Sequence, residues 1–247
     1  MSSVYKAGRT KARRVRAAHG IPPEGPLPDI LALADAEVPV AIFENLAHVA
    51  GAYVCRDDHR LIVLNGSDPP VRLRFTLAHE LCHHCFRDDA QPDTHAGLAR
   101  PGHWIEVRAN AFAAELLVPE TDIQAWAADR DDVDLYDVVT LAARYGVSAL
   151  MMLIRLVTAG APVDEAAVRA RIDANDHLGI AKYFDAVEDD LAEAARTLPR
   201  IPAAFDGSML VRLALGELTI RQAAGKLRVT EQAIRDAYAP LGLIAPA

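Results

Sequence analysis

Apolar positions along this chain change their period several times, and each change marks an element. Val38 to Phe43 is a short apolar run of strand length. Gly51 to Cys55 and Arg60 to Asn65 read as paired strands around the polar turn Arg56-Asp57-Asp58-His59. From Val71 to Phe86 the spacing becomes helical, whereas Arg87 to Gly102 is polar, carries Pro92, Gly97, Pro101 and Gly102, and predicts a long loop. A second helix is predicted from Ile105 to Leu117, stopped by Pro119. Amphipathic segments at about Val133 to Tyr145 and Ser148 to Thr158 follow, with Gly146 between them as a C-cap. Upstream, Ile30 to Ala36 has helical spacing behind Asp29 as an N-cap, and the proline-rich stretch Ile21 to Pro28 reads as a connector. Gly160-Ala161-Pro162 marks a boundary. Beyond it the pattern is helical throughout, with an acidic helix around Ala174 to Leu198, a break at Pro199 and Pro202, and a helical cluster from Met209 to Leu241. The expectation is an α+β, mainly α protein with a first domain over residues 1–160 and an all-α domain over 161–247.

Composition narrows the class. The 247 residues are 51% hydrophobic, 24% charged and 6% aromatic, which excludes intrinsic disorder, collagen-like repeats and disulfide-stapled minimal folds. The net charge of -8 gives the molecule no overall cationic field, so any contact with nucleic acid has to be local. One block departs from this: within residues 1–20, Lys6, Arg9, Lys11, Arg13, Arg14 and Arg16 occur with no acid before Glu24. A solvated helix face is the simpler reading of that run, and contact with phosphate or an acidic partner is the alternative. Cys55, Cys82 and Cys85 are too few and too unevenly placed for a disulfide framework, the first residues lack the pattern of a secretory leader, and no apolar run approaches the roughly 20 residues that cross a bilayer. These features predict a cytoplasmic protein.

The segment that carries chemistry is Thr76-Leu77-Ala78-His79-Glu80-Leu81-Cys82-His83. On a helix, His79 and His83 lie on one face with Cβ atoms about 6 Å apart, so both imidazoles can converge on one cation such as Zn²⁺. Glu80 is rotated about 100° from His79, which suits a base beside the open coordination position rather than a ligand. Glu106, at the start of the second predicted helix, is the candidate third ligand. One turn further on the same face, Asn110 can accept the second ring N–H of a ligating histidine. Phe112, Leu116 and Leu117 would pin this helix to the first. Cys82 and Cys85 form a C-x-x-C within the same helix, but without a second pair the expected fate of Cys82, about 60° around the axis from His79, is packing in the core.

Arg74-Phe75-Thr76-Leu77-Ala78-His79-Glu80-Leu81-Cys82-His83, followed by Glu106-Val107-Arg108-Ala109-Asn110-Ala111-Phe112-Ala113-Ala114-Glu115-Leu116-Leu117-Val118-Pro119, resembles the ImmA/IrrE family of zinc metallopeptidases. The resemblance covers roughly residues 12 to 155. It implies a gluzincin-like fold with a small sheet packed on the motif helix, with His79, His83 and Glu106 as zinc ligands and Glu80 as general base. It also implies a protein substrate, typically a helix-turn-helix repressor of the Xre type in a mobile-element, stress-response or toxin-antitoxin system. Where the family usually has glycine, this chain has Cys82. The chemistry needs a donor for the developing oxyanion, and His95, His103 and Tyr136 are in reach, although a surface or core role is the simpler reading of each; His59, His84 and His177 read as structural or exposed.

Residues 217–238 resemble a helix-turn-helix, with Ala223 and Ala224 in the first helix and Thr230 as N-cap of the second. Glu231, Gln232 and Arg235 would face the bases if that helix entered a major groove. Glu231 and Asp236 stand against Arg235 alone, so docking of protein is favoured over DNA, with a plain helical bundle as the third alternative. The competing function classes are an active zinc endopeptidase, a DNA-binding regulator with a non-catalytic zinc site, and a toxin or antitoxin acting by binding; Glu80, for which a binding module has no chemical need, favours the first.

Overall fold

The computed structural model describes residues 3–43, 46, 49–56, 59–88, 91–94, 104–181, 200–201, 209, 212–213 and 218–238. Helices α1 (Ser3–Ala18) and α2 (Ile30–Asp35) precede strands β1 (Val40–Phe43), β2 (Val49–Arg56) and β3 (His59–Asn65). Helix α3 (Pro70–Phe86), strand β4 (Gln91–Thr94) and helix α4 (Trp104–Leu117) follow. Then come α5 (Glu120–Ala127), α6 (Leu135–Tyr145), α7 (Ala149–Ala159), α8 (Glu165–Asp173) and α9 (Asp176–Ala181), and finally β5 (Arg200–Ile201), α10 (Ile220–Leu227) and α11 (Glu231–Tyr238). The architecture is α+β and mainly α, as expected. Among the described residues no single helix is long and apolar enough to cross a membrane.

The strands form one mixed sheet in the order β4-β2-β3-β1-β5. β2 and β3 pair antiparallel, as their flanking turn predicts, and β1 runs parallel to β3. Neither β1 nor β3 alternates apolar with polar: Val40-Ala41-Ile42-Phe43 and Leu61-Ile62-Val63-Leu64 are buried at every position. Such runs need cover on both faces. Val40, Ile42, Tyr53, Ile62 and Leu64 turn to one face and join the core built with α1 to α8. Ala41, Phe43, Ala52, Val54, Leu61 and Val63 turn to the other, where Met209, Leu213, Leu218, Ala223, Ala224 and Ile234 cover them. Chain on both sides of Gly160 thus contributes to the sheet, and β5 adds its two residues to the edge of β1.

Caps explain most helix limits. The Asp29 carboxylate accepts from the Ala32 amide, Asp134 and Asp137 form a capping box at α6, and Ser148 caps α7. Gly146 ends α6 in the left-handed region, with φ 62°, as its position predicts. In the C-terminal pair, Thr219 and Gln222 close a capping box on α10, and Thr230 caps α11 by accepting from the Ala233 amide. Glu231 is ion-paired to Arg221 at 3.2 Å, and Gln232 donates to Asp236 at 2.7 Å.

Four expectations change. Residues 161–247, expected to be all-α, supply strand β5, which pairs parallel with the edge of β1. The polar stretch after Phe86 contains β4, which pairs antiparallel with β2; Pro92 hid it, being tolerated because the strand lies at the sheet edge. The acidic helix expected from Ala174 to Leu198 is interrupted there, since Asn175 takes φ 64° between α8 and α9; the rest of that helix, residues 182–198, lies outside the described residues. Helix α5, short and following Pro119 directly, was not anticipated.

The basic opening run is also more than a solvated face. Arg16 is buried and donates to the carbonyls of Pro22, Glu24, Gly25 and Leu116, tying the proline-rich connector to the end of α4. Arg9 and Arg13 reach the buried carboxylate of Glu115 at 3.2 and 2.7 Å, and Arg155 of α7 binds it from the other side. Burial pushes the Glu115 carboxyl up, but Arg155, Arg13 and Arg9 outweigh it and hold its pKa below the ordinary value.

Removing one partner of a buried ion cluster leaves the others uncompensated, at a cost of about 3 kcal/mol. Glu115→Gln should therefore lower the unfolding free energy by about that amount in urea titrations at neutral pH. Because the folded pKa lies below the unfolded one, the carboxylate's contribution is complete above the reference value of 4.5 and is lost as the pH falls through the folded value. The loss of stability on acidification below pH 4.5 should accordingly be shallower in Glu115→Gln than in the wild type.

Candidate metal centre

Helix α3 starts at Pro70, whose missing N–H is no loss in a first turn, and ends where Arg87 adopts φ 56° and returns its amide to the carbonyls of His83 and His84. Leu73, Leu77, Ala78, Leu81 and Cys82 are buried along it. Cys82 packs in the core as expected, and burial pushes its thiol pKa far up, which keeps it protonated and apolar. Helix α4 packs on α3 and buries Ala109, Phe112, Ala113, Leu116 and Leu117. Ala109 and Ala113 present little bulk, so the two backbones can lie close.

That packing brings together the three groups expected to ligate. His79 Nε2 lies 3.1 Å from His83 Nε2 and 3.0 Å from Glu106 Oε2, and His83 Nε2 lies 3.9 Å from Glu106 Oε1. A tetrahedral ion with N and O ligands holds its donor atoms about 3.3 Å apart. These separations bracket that value. Glu106 sits in the first turn of α4, where the helix dipole favours a carboxylate.

The outer nitrogens decide what the inner ones can do. His79 Nδ1 lies 3.0 Å from Asn110 Oδ1, the partner its position one turn beyond Glu106 predicts, and His83 Nδ1 lies 2.9 Å from Asp88 Oδ2. Each acceptor holds the ring proton on Nδ1, so each Nε2 presents a lone pair to the other imidazole and to the Glu106 carboxylate. Two lone pairs and an anion converging within 4.8 Å repel unless a cation lies between them. The donor set and its spacing therefore fit a divalent metal ion.

Asp88 escaped the sequence reading, although it stands five residues after His83, just beyond the C-cap of α3. Arg108 donates to both of its carboxylate oxygens, and the guanidinium lies 3.9 Å from the centre of the Phe86 ring and 4.9 Å from that of Trp104. Burial raises the pKa of Asp88, but hydrogen bonds from His83 and Arg108 prevail and hold it below the usual range. The ligand His83 is thus backed by a carboxylate that is itself clamped.

Glu80 is fully buried on the side of α3 that faces the sheet, and its Oε2 accepts from the Tyr53 amide of β2 at 2.6 Å. Gly51 makes this approach possible. A Cβ there would lie 2.5 Å from Thr76 Cγ2, 2.9 Å from the Val63 carbonyl and 3.5 Å from Glu80 Cγ, so any larger residue would push α3 off the strand. Of the expected oxyanion donors, His95 and His103 lie outside the described residues, and Tyr136 is on α6 with 57% of its surface exposed. His84 packs edge-on to Tyr53 at 5.5 Å, and burial with Arg60 nearby lowers its pKa, a structural role.

The model of a peptidase family, described as the IrrE N-terminal-like domain, matches residues 36–157. The match spans β1 to α7 and so contains both histidines, both glutamates, Asp88 and Asn110. A comparison with curated proteins found no match.

An acceptor that orients a ligating histidine typically contributes one to two orders of magnitude in metal affinity. Asp88→Ala should weaken metal binding by about tenfold or more, and Glu106→Ala further still. Competition against a chromophoric chelator measures both.

Proposed function

We propose that this chain, whose residues 36–157 belong to the IrrE N-terminal-like peptidase family, is a zinc-dependent endopeptidase that cleaves a protein substrate. The observation that carries the reading is the convergence of His79 Nε2, His83 Nε2 and a Glu106 oxygen, with both Nδ1 atoms held by acceptors. Two neutral imidazoles and one carboxylate suit Zn²⁺ in a site that keeps a fourth position open. A zinc ion held there supplies Lewis acidity, which lowers the pKa of a water molecule and polarises the scissile carbonyl.

The chain's own groups do the rest. His79, His83 and Glu106 fix the ion, and Asn110 and Asp88 fix the tautomers and ring planes of the two histidines. Glu80 takes a proton from the attacking water and delivers it to the leaving amine. Its hydrogen bond from the Tyr53 amide restrains the side chain, so the base is held in place before substrate arrives. Arg108, locked between two rings and the Asp88 carboxylate, holds that carboxylate against His83.

The substrate is expected to be a helix-turn-helix repressor or antitoxin, in keeping with the family resemblance, and the protein is expected in the cytoplasm. The segment 217–238 is read as a surface for docking protein rather than DNA, because the Glu231 carboxylate is turned to Arg221 and the Gln232 amide to Asp236.

Glu80→Gln keeps an oxygen able to accept from the Tyr53 amide and removes only the base. The variant should bind zinc stoichiometrically and keep the wild-type melting temperature, yet lose at least about a hundredfold in the rate of cleavage of a repressor encoded beside it. The readout is truncation of the repressor on co-expression, alongside elemental analysis of the purified chain. Undiminished truncation by the variant would remove the assignment of the base.

A further inference from the structure

Helix α1 carries six cations and no acid, and its two faces use them differently. Arg9, Arg13 and Arg16 turn inward to Glu115, Glu120 and main-chain carbonyls. Lys6, Lys11 and Arg14 turn the other way. With Ala7, Thr10 and Phe86 they line an open pocket of about 310 Å³. Positions 6, 7, 10, 11 and 14 follow helical spacing and form one stripe about 12 Å long. Among the described residues none of these three cations is ion-paired to a carboxylate, although the chain as a whole has eight more acids than bases. The floor is aromatic: Lys11 Nζ lies 6.0 Å from the centre of the Phe86 ring.

We propose that this stripe and Phe86 form a docking site for an acidic segment of a polypeptide. Three cations that have no ion pair among the described residues, beside an apolar floor, match a short run of two or three carboxylates with intervening methylenes, and the pocket has room for one or two such side chains. A nucleic acid fits less well, because retention by phosphate contacts needs more cations than three and a long polyanion would extend over the acidic remainder of the surface. Position adds the link to function. Phe86 follows His83 by three residues, so one wall of the pocket stands a single helical turn from a metal ligand, and the same ring stacks on Arg108, which clamps Asp88. A peptide anchored on α1 would lie beside the centre. That the docked segment is part of the substrate rests on the peptidase reading; the anion site itself does not.

Fluorescence anisotropy of a labelled octapeptide of alternating Glu and Ala, titrated with the full chain at low salt, tests the site. Replacing Lys6→Gln, Lys11→Gln and Arg14→Gln together should weaken binding by about tenfold or more, while far-ultraviolet circular dichroism stays as in the wild type, since all three side chains border an open pocket rather than a core. Thr10→Glu, which leaves every cation in place but inserts a like charge for the peptide to meet, should weaken it severalfold and serves as the second variant. Glu80→Gln should bind as the wild type does. Equal binding by the triple variant, equal binding of a Gln/Ala octapeptide, or tighter binding of an oligonucleotide of the same charge would each overturn the proposal. Peptide binding by a wild-type chain that cleaves no repressor would retain the docking site and remove the peptidase reading.

Discussion

The position of α4 against its two neighbours is the constraint on which the centre depends. Toward one end of the helix, Glu115 is buried among Arg9, Arg13 and Arg155, and beyond its end Arg155 also takes the carbonyl of Val118. Along its flank, Gly8 of α1 approaches so closely that a Cβ would lie 2.3 Å from the Arg108 carbonyl. Charge fixes α4 lengthwise and steric fit fixes it laterally. Glu106 lies about 14 Å along the axis from Glu115, and Asn110 lies between them. With α4 held so, these two groups face His79 and His83 without any adjustment of their own. A shift of α4 by one residue, about 1.5 Å along the axis with a rotation of 100°, would take both off the imidazoles.

The charges of α1 serve this arrangement unequally. Three of its arginines satisfy groups that burial would otherwise leave in want of a partner, among them the Leu116 carbonyl, one of the last of α4 and without an intrahelical partner. Buried ion clusters are weak sources of net stability, since desolvation offsets most of the attraction. Their consequence is registry: a single buried carboxylate that needs several guanidiniums permits one placement of α1, α4 and α7. The outward cations of α1 take no part in that registry, and the fold does not depend on them.

How much of this was legible in the sequence follows from the range of each interaction. His79, His83, Glu106 and Asn110 were legible because each pair lies on one helix at a spacing that periodicity alone puts on one face. The caps at Asp29, Ser148, Thr219 and Gly146 are equally local. Asp88 and Arg108 were not, since their pairing joins the end of one helix to the start of another across a polar stretch in which β4, the regular element among the described residues, contains a proline. Nor was the Tyr53 amide, a main-chain group without a side-chain signature. Gly51 did carry a signal, a residue without a side chain inside a strand of apolar neighbours, and its meaning became clear only with Thr76 and Glu80 packed above it. The inward turn of Arg9, Arg13 and Arg16 depends on Glu115 a hundred residues away, which a run of like charge cannot disclose.

Strand β2 couples the centre to the C-terminal residues. Its Gly51 and Tyr53 face α3, one making room for Glu80 and the other holding it by the amide, while the alternating Ala52 and Val54 face the layer formed by Met209, Leu213, Leu218, Ala223, Ala224 and Ile234. A sheet covered on one side only would leave Phe43, Val54, Leu61 and Val63 in water, at about 1.5–3 kcal/mol for each large side chain. That is a large share of the 5–15 kcal/mol by which a domain is typically stable. The C-terminal residues thus bear on the centre through the sheet, whatever else α10 and α11 bind. They keep β2 in place, β2 sets the height of α3, and the height of α3 determines whether the carboxylate of Glu80 reaches its hydrogen bond. The unbroken apolar runs of β1 and β3 need cover on both faces, and residues beyond Gly160 supply it on the side away from α3.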